Sequence, residues 1–227
     1  MTHGLMRCSA EFDPETFYKI MENDNAEKPR PSRMPVEPRT GAREGERKYL
    51  TENEVLRLLE ASRAGRHSVR DSCLIFWMYR RGWRVSEACS CLLSDIDLEG
   101  RVIYVKRGKN GVNTTHPIAP DEYKALRAWL KERARYRGAD TSKFLFLSER
   151  GTALDRSQVN YLLAKYGKLA GLPIKPNPHA LRHACGYKLA NDGHDTRALQ
   201  TYLGHRSISS TTIYTETNVG RFMEFWR

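Results

Sequence analysis

The stretch that decides the reading runs from Pro178 to Tyr214, PHALRHACGYKLANDGHDTRALQTYLGHRSISSTTIY. Proline suits the first position of a helix, where its missing N–H costs nothing, so Pro178 opens a helix through Leu189 and Ala190. Asp195 caps a second helix that ends near Gly204, and Ser207 starts a third that carries Tyr214. On the first of these, His179 and Arg182 are three residues apart and share a face, so an imidazole and a guanidinium there can converge on one ligand. His205 follows Gly204 at a turn, from which its side chain can be aimed at a neighbouring site. Arginine is the natural phosphate partner, because its planar fork donates two parallel hydrogen bonds and keeps its charge. A second arginine, Arg84, stands at a helix start in Gly82-Trp83-Arg84-Val85-Ser86-Glu87, where backbone donors also point at an anion.

Each of these elements alone also has an ordinary explanation. Arg182 fits a solvated helix position, His205 a capping histidine, and Tyr214, one of 11 tyrosines, the amphipathic edge of a core. His179 and His183 have the i, i+4 spacing of a metal pair, but Arg182 lies between them and the glutamate of H-E-x-x-H is missing, so no metal is expected.

Outward from this stretch the punctuation is regular. Thr51 and Glu54 form a capping box ahead of Val55, Leu56, Leu58 and Leu59. Val69 to Tyr79 is apolar enough to be buried on most sides and Gly82 ends it, and Ser86-Glu87 opens a short helix to about Leu93. The pattern then changes to a period of two. Arg101–Val105 and Thr114–Ile118 are rich in β-branched residues and flank a polar segment with Asn110-Gly111, which predicts a hairpin with Lys106, Arg107 and Lys109 at its tip. Pro120 starts a helix through Leu130, Phe144–Leu147 is a short strand able to join the hairpin, and Ser157–Ala170 is helical up to Gly171. The fold class expected is mainly α with a small three-stranded antiparallel sheet.

Residues 1–48 differ. Asp24 to Lys48 carries Pro29, Pro31, Pro35 and Pro38 with seven basic and five acidic side chains, a composition that supports no packed core and reads as a linker. Before it, Asp13-Pro14 with Phe17, Tyr18, Ile20 and Met21 predicts one short amphipathic helix. The domain division expected is therefore an extension over 1–48 and a folded domain over 49–227.

Lys+Arg 38 against Asp+Glu 27 gives the 227-residue chain a net charge of +11. That excess favours a polyanionic partner, nucleic acid first, although an anionic membrane surface or simple solubility would tolerate it too. No apolar run approaches the roughly 18 residues of a membrane span, since Cys73–Tyr79 is interrupted by Arg80 and Arg81. The five cysteines are odd in number and contain no C-x-x-C pair, which argues against a disulfide framework or zinc ribbon and suits a reduced, cytoplasmic setting.

Taken together, G-x-R-x-S-E at 82–87, Lys109 in its hairpin, H-x-L-R-H at 179–183, L-G-H-R at 203–206 and a tyrosine nine residues after His205 resemble the tyrosine recombinase (phage integrase) family. The likeness runs in order from about Tyr49 to Tyr214. Thr114-Thr115-His116-Pro117 and Asn218-x-Gly220-Arg221-Phe222 are similar to the type 1 fimbrial phase-switch invertases within it. The resemblance implies a recombinase that cuts and rejoins DNA through a 3′-phosphotyrosyl bond, with Tyr214 the nucleophile and Arg84, Lys109, His179, Arg182 and His205 the activating set. Within that scheme His179 takes the phenol proton, the arginines hold the non-bridging oxygens, and Lys109 protonates the 5′ oxygen. Neither metal nor other cofactor is needed. The implied partners are double-stranded DNA, a homotetramer across two sites, and a DNA-bending accessory protein, with no membrane; Lys106, Arg107 and Arg206 are the candidate phosphate contacts beside the scissile position. An idle DNA-binding regulator of the same fold and a type IB topoisomerase-like enzyme are the alternatives. The short apolar tail with Phe222, Met223, Phe225 and Trp226 either docks on a neighbouring protomer or folds back on its own core.

Overall fold

The computed structural model describes residues 47–108 and 111–215. The amphipathic helix expected at 13–21, the linker before Arg47, Lys109 and the apolar tail lie outside the described residues. In chain order the described elements are α1 (Glu52–Arg63), α2 (Ser68–Arg81), α3 (Val85–Ser90), a 3-10 turn (Leu93–Asp95), β1 (Ile96–Asp97), β2 (Val102–Val105) and β3 (Thr114–Pro117). They continue with α4 (Pro120–Arg133), α5 (Arg156–Leu169), α6 (Pro178–Asn191), α7 (Thr196–Leu203) and α8 (Ser209–Thr215).

The hydrophobic run of α2 makes it the central helix. Cys73 through Tyr79 are all buried, and α2 packs against α1, α4 and α6. A helix apolar on all sides has no stable place but an interior. Trp77 and Trp83 meet at 5.8 Å, and Trp129 of α4 stacks on Phe146 while its Nε1 donates to the Leu145 carbonyl at 3.1 Å. Each such side chain contributes about 1.5–3 kcal/mol through burial. The caps fall where the sequence puts them: Thr51 and Glu54 close the box at α1, Pro178 begins α6, and Asp195 accepts from the Arg197 and Ala198 amides at α7.

The sheet is three-stranded and antiparallel in the order β1-β2-β3, with Ile103 opposite both Ile96 and His116. Its third strand is not the one the sequence suggested. Phe144–Leu147 makes only isolated bridges, Leu92 with Phe144 and Leu147 with Ala153, and the partner of β2 is Ile96–Asp97. The reason is competition for carbonyls. Arg133 Nε donates to those of Phe144 and Leu145, Trp129 also to Leu145, and Arg70 to Leu147, which removes the acceptors a ladder needs. Two residues, one of them Asp97, are too short to show a period of two, and Asp97 is held by the turn in which its Oδ1 accepts from the Glu99 and Gly100 amides. The short helix also stops earlier than about Leu93. Cys91 is extended, and Asp95 folds back to accept from the Leu92 amide, which starts a separate 3-10 turn.

Two helix ends meet at the centre of the fold. α2 ends at Gly82 and α7 at Gly204, both left-handed, with φ of 55° and 65°. Here the orphan carbonyls at the helix ends are taken by two buried guanidiniums. Arg107 donates to the carbonyls of Arg81 and Tyr202, and Arg182 donates to those of Gly82 and Leu203, one residue further along each helix. Gly204 is doubly constrained, because a Cβ there would meet three Arg107 side-chain atoms at 2.7–2.9 Å as well as adopt the left-handed conformation. Gly204→Ala should therefore destabilise the protein by about 2 kcal/mol or more, measured by urea unfolding, beyond the cost of the backbone conformation alone.

Candidate active site

The candidate residues converge on these two helix ends. Arg182 is 5% exposed, and its carbonyl bonds fix the guanidinium plane before any ligand arrives. Burial, followed by the charges of Arg84 and Arg107, pushes its pKa down to about 10, which still leaves it charged at neutral pH. Arg84 sits at the N-terminus of α3, half-buried, and its NH1 donates to Glu87 Oε1 at 2.7 Å. Glu87 also accepts from the Arg84 amide at 2.9 Å and from Arg107 NH1 at 2.8 Å. Burial favours the neutral carboxyl, but Arg107 and Arg84 outweigh it and hold Glu87 below its ordinary range. Glu87 is thus the shared anchor of two arginines. Sequence reasoning quoted it only as part of a motif; a glutamate three residues after an arginine at a helix start was the available signal.

His205, just past Gly204, places its Nδ1 2.8 Å from the Thr211 hydroxyl, whose residue is fully buried. Burial and then Arg182, Arg84 and Arg107 lower its pKa to about 4, so the ring is neutral at physiological pH. Its ring lies parallel to that of Tyr214, with centroids 6.4 Å apart.

Tyr214 is 2% exposed. Its ring lies on the backbone of α6 at Gly186, where a Cβ would approach three ring atoms to 2.6–2.8 Å, and Tyr187 packs edge-on against it at 5.2 Å. Its hydroxyl is 3.0 Å from His183 Nδ1. Burial raises the phenol to about 12, and the nearby Arg182 and Arg84 charges offset only part of that. The phenol of the DNA-free protein is therefore neutral at physiological pH.

The structure brings Arg84, Arg182, His205 and Tyr214 into one region, with His179 at its margin, one turn from His183. His179 is exposed on α6 and makes no hydrogen bond to Tyr214. Lys109 lies outside the described residues. Lys106 is exposed and paired with Asp95 at 2.5 Å, and Arg206 is exposed. Arg107 corrects the sequence expectation of a surface phosphate contact. Its side chain has no exposed area and is spent on Glu87 and two carbonyls, because a guanidinium is the side chain able to satisfy a buried carboxylate and two helix ends at once. His116 is buried too, stacked on Tyr202 at 4.1 Å with Nε2 on Thr114, and belongs to the core. Among the described residues, no group of three or more His, Cys, Asp or Glu is arranged to hold a metal ion, and no helix is long and apolar enough to cross a membrane.

Relatives share this arrangement of elements. Residues 48–221 match the phage integrase family. The type 1 fimbriae regulatory protein FimB of Escherichia coli (strain K12) is 44% identical over 180 residues, 79% of this chain and 90% of the relative. Among solved structures, the XerA recombinase superposes with a TM-score of 0.67 at 32% identity, covering 85% of this chain and 64% of that one. A post-cleavage complex of the XerH site-specific recombinase with palindromic difH substrate gives 0.66 at 26% identity, covering 77% and 51%. The family match begins one residue after the first described residue and extends past Tyr214, so all the site's elements fall inside it, and the chain belongs to the phage integrase family.

Proposed function

We propose that this site cleaves and rejoins duplex DNA at a specific sequence, with Tyr214 attacking the scissile phosphate to form a 3′-phosphotyrosyl bond. The chain is a site-specific recombinase by family, and DNA is its partner. One observation supports the assignment of roles most directly: the Tyr214 ring stacks beside that of His205, which directly follows the α7 end whose Leu203 carbonyl fixes Arg182. The Arg182 and Arg84 guanidiniums are fixed by carbonyls and by Glu87, and so are preorganised for the charge that grows on the non-bridging oxygens. With Nδ1 held by Thr211, His205 keeps Nε2 for one more hydrogen bond to the same phosphate. Lys109 is the proposed acid for the departing 5′ oxygen. His179, exposed at the start of α6, is left for the substrate side of the site.

The bond energy kept in the phosphotyrosyl link makes ATP unnecessary, and fixed arginines supply the charge that a metal would otherwise provide. Wild-type protein should form a denaturant-stable adduct on a nicked suicide duplex at the same rate with and without EDTA. Binding without any adduct would favour an idle regulator, and relaxation of supercoils by dilute monomer a topoisomerase. Strand exchange calls for four protomers on two sites, which crosslinking on paired duplexes would count, and an added DNA-bending protein should raise its yield. Exposed Lys106 and Arg206 are proposed phosphate contacts; if about eight phosphates are neutralised in all, log K should fall with log salt at a slope near −7. We further propose that the catalytic domain spans 49–227, that residues 1–48 are an extension, and that the protein works in the cytoplasm.

A further inference from the structure

The nucleophile's ring is held by another aromatic ring, and the row continues out of the site to the start of the domain. Gly186 lets the Tyr214 ring lie against the α6 backbone, and Tyr187 meets that ring at 5.2 Å with the two planes 85° apart. Tyr187 is in turn backed by Tyr49, with centroids 4.2 Å apart and planes tilted by 36°. Tyr49 precedes α1 and lies in no helix, yet its surroundings fix it. Leu50 beside it is buried and Thr51 caps α1. The Arg47 guanidinium lies 5.5 Å from the Tyr49 ring centroid and pairs with Glu54 at 2.5 Å. The helix that carries Tyr214 has only seven residues, too few to hold its shape alone, so where the nucleophile points depends on what its ring packs against.

We propose that Tyr187 and Tyr49 are positioning residues for DNA cleavage: Tyr187 confines the Tyr214 ring to the orientation from which its oxygen attacks, and Tyr49 keeps Tyr187 from turning away. This rests on the reading of Tyr214 as nucleophile. The attack transfers the phosphoryl group from the 5′ oxygen to the phenol oxygen, and the proton the phenol loses is balanced by the one the 5′ oxygen gains. An edge-to-face pair suits the task, because the ring quadrupole favours this angle over others and so restricts rotation as well as position. The rate depends steeply on that restriction, since an attacking atom misplaced by about 1 Å can cost about 100-fold. Both tyrosines act on the ring of Tyr214 and not on the DNA, so their loss lowers the rate at saturating substrate and leaves affinity as it was. The segment that enters α1 thereby belongs to the catalytic apparatus, although it precedes the first of the motifs at 82–87.

The test is single-turnover adduct formation at saturating concentrations of a nicked suicide duplex, built on the site that footprinting of the wild-type protein defines. Tyr187→Leu, which keeps α6 helical and apolar, should slow it about 30-fold, and Tyr49→Ala about 10-fold, with the footprint unchanged. Tyr187→Phe and Tyr49→Phe keep the rings and should recover the rate to within about threefold of wild type. Because Tyr49 acts through Tyr187, adding Tyr49→Ala to Tyr187→Leu should slow the reaction no further. Effects that multiply instead would overturn the proposal. So would phenylalanine variants as slow as Tyr187→Leu, which would assign the effect to the hydroxyls, or a loss of rate matched by an equal loss of affinity. Variants at the wild-type rate, or faster because the rings restrain the nucleophile, would overturn it too. Should Tyr187→Leu fail to fold, Tyr49→Ala decides, since Tyr49 is half-buried and outside the helices. Proton NMR of the DNA-free wild type should show Overhauser contacts between the rings of Tyr187 and Tyr214 and of Tyr49 and Tyr187, and their absence would overturn the row itself. A wild-type protein that forms no adduct, or one that maps to a residue other than Tyr214, would sink the nucleophile reading, whereas an adduct on Tyr214 with undiminished variants sinks only the roles of Tyr187 and Tyr49.

Discussion

Tyr214→Phe will bind its DNA site with unchanged affinity and form no detectable covalent adduct on a nicked suicide duplex, a loss of at least about 10⁴-fold. The substitution is nearly isosteric. Phenylalanine keeps the ring on Gly186 and against Tyr187, and gives up only the hydroxyl and its 3.0 Å bond to His183. One such hydrogen bond is worth about 1 kcal/mol, so the fold survives. Tyr202 is committed, its hydroxyl donating to the Arg80 carbonyl at 2.7 Å on the core side of α7. Tyr187 lies next to the site, so an adduct that persists in Tyr214→Phe and maps by peptide sequencing to Tyr187 would reassign the nucleophile.

Arg107→Ala should lower stability by about 3–5 kcal/mol, the cost of leaving a buried carboxylate without its partner. Glu87 would keep only Arg84, and the carbonyls of Arg81 and Tyr202 would lose a donor at the ends of α2 and α7. For a domain of this size that is a fall of about 10 °C or more in melting temperature. A surface phosphate contact behaves in the opposite way. Its removal changes stability by less than about 0.5 kcal/mol and reduces the salt slope of DNA binding by about 1. Calorimetry and a salt titration on the same variant therefore separate the buried role from the one the sequence suggested. Lys106→Ala and Arg206→Ala, which are exposed, should show the surface pattern.

What the sequence made legible follows from which forces are local. Caps and breakers are local, and Thr51, Pro178, Asp195, Gly82 and Gly204 each mark an observed boundary within a residue or two. The identity of the third strand was not local. It depended on Arg133, Trp129 and Arg70 reaching the carbonyls of Phe144, Leu145 and Leu147 from distant helices. The same holds at the site. The spacing of His179 and Arg182 is visible in the chain, but which histidine of α6 meets Tyr214 depends on how α8 packs across it, and that contact spans 31 residues. Arg107 follows the same rule: next to Lys106 at the tip of the expected polar hairpin it looks solvated, and only the approach of α2 and α7 encloses it.

The guanidiniums that join the ends of α2 and α7 also constrain how this protein can decay over generations. A lineage that no longer needs to cut DNA can lose the Tyr214 hydroxyl for the price of one hydrogen bond. Arg107 and Arg182 are retained by folding itself, whatever becomes of the chemistry. Descendants that have turned into silent binders should therefore keep both arginines and Gly204 while position 214 drifts. A genome survey for such remnants will mistake them for enzymes if it scores the arginines, and will recognise them if it scores the tyrosine.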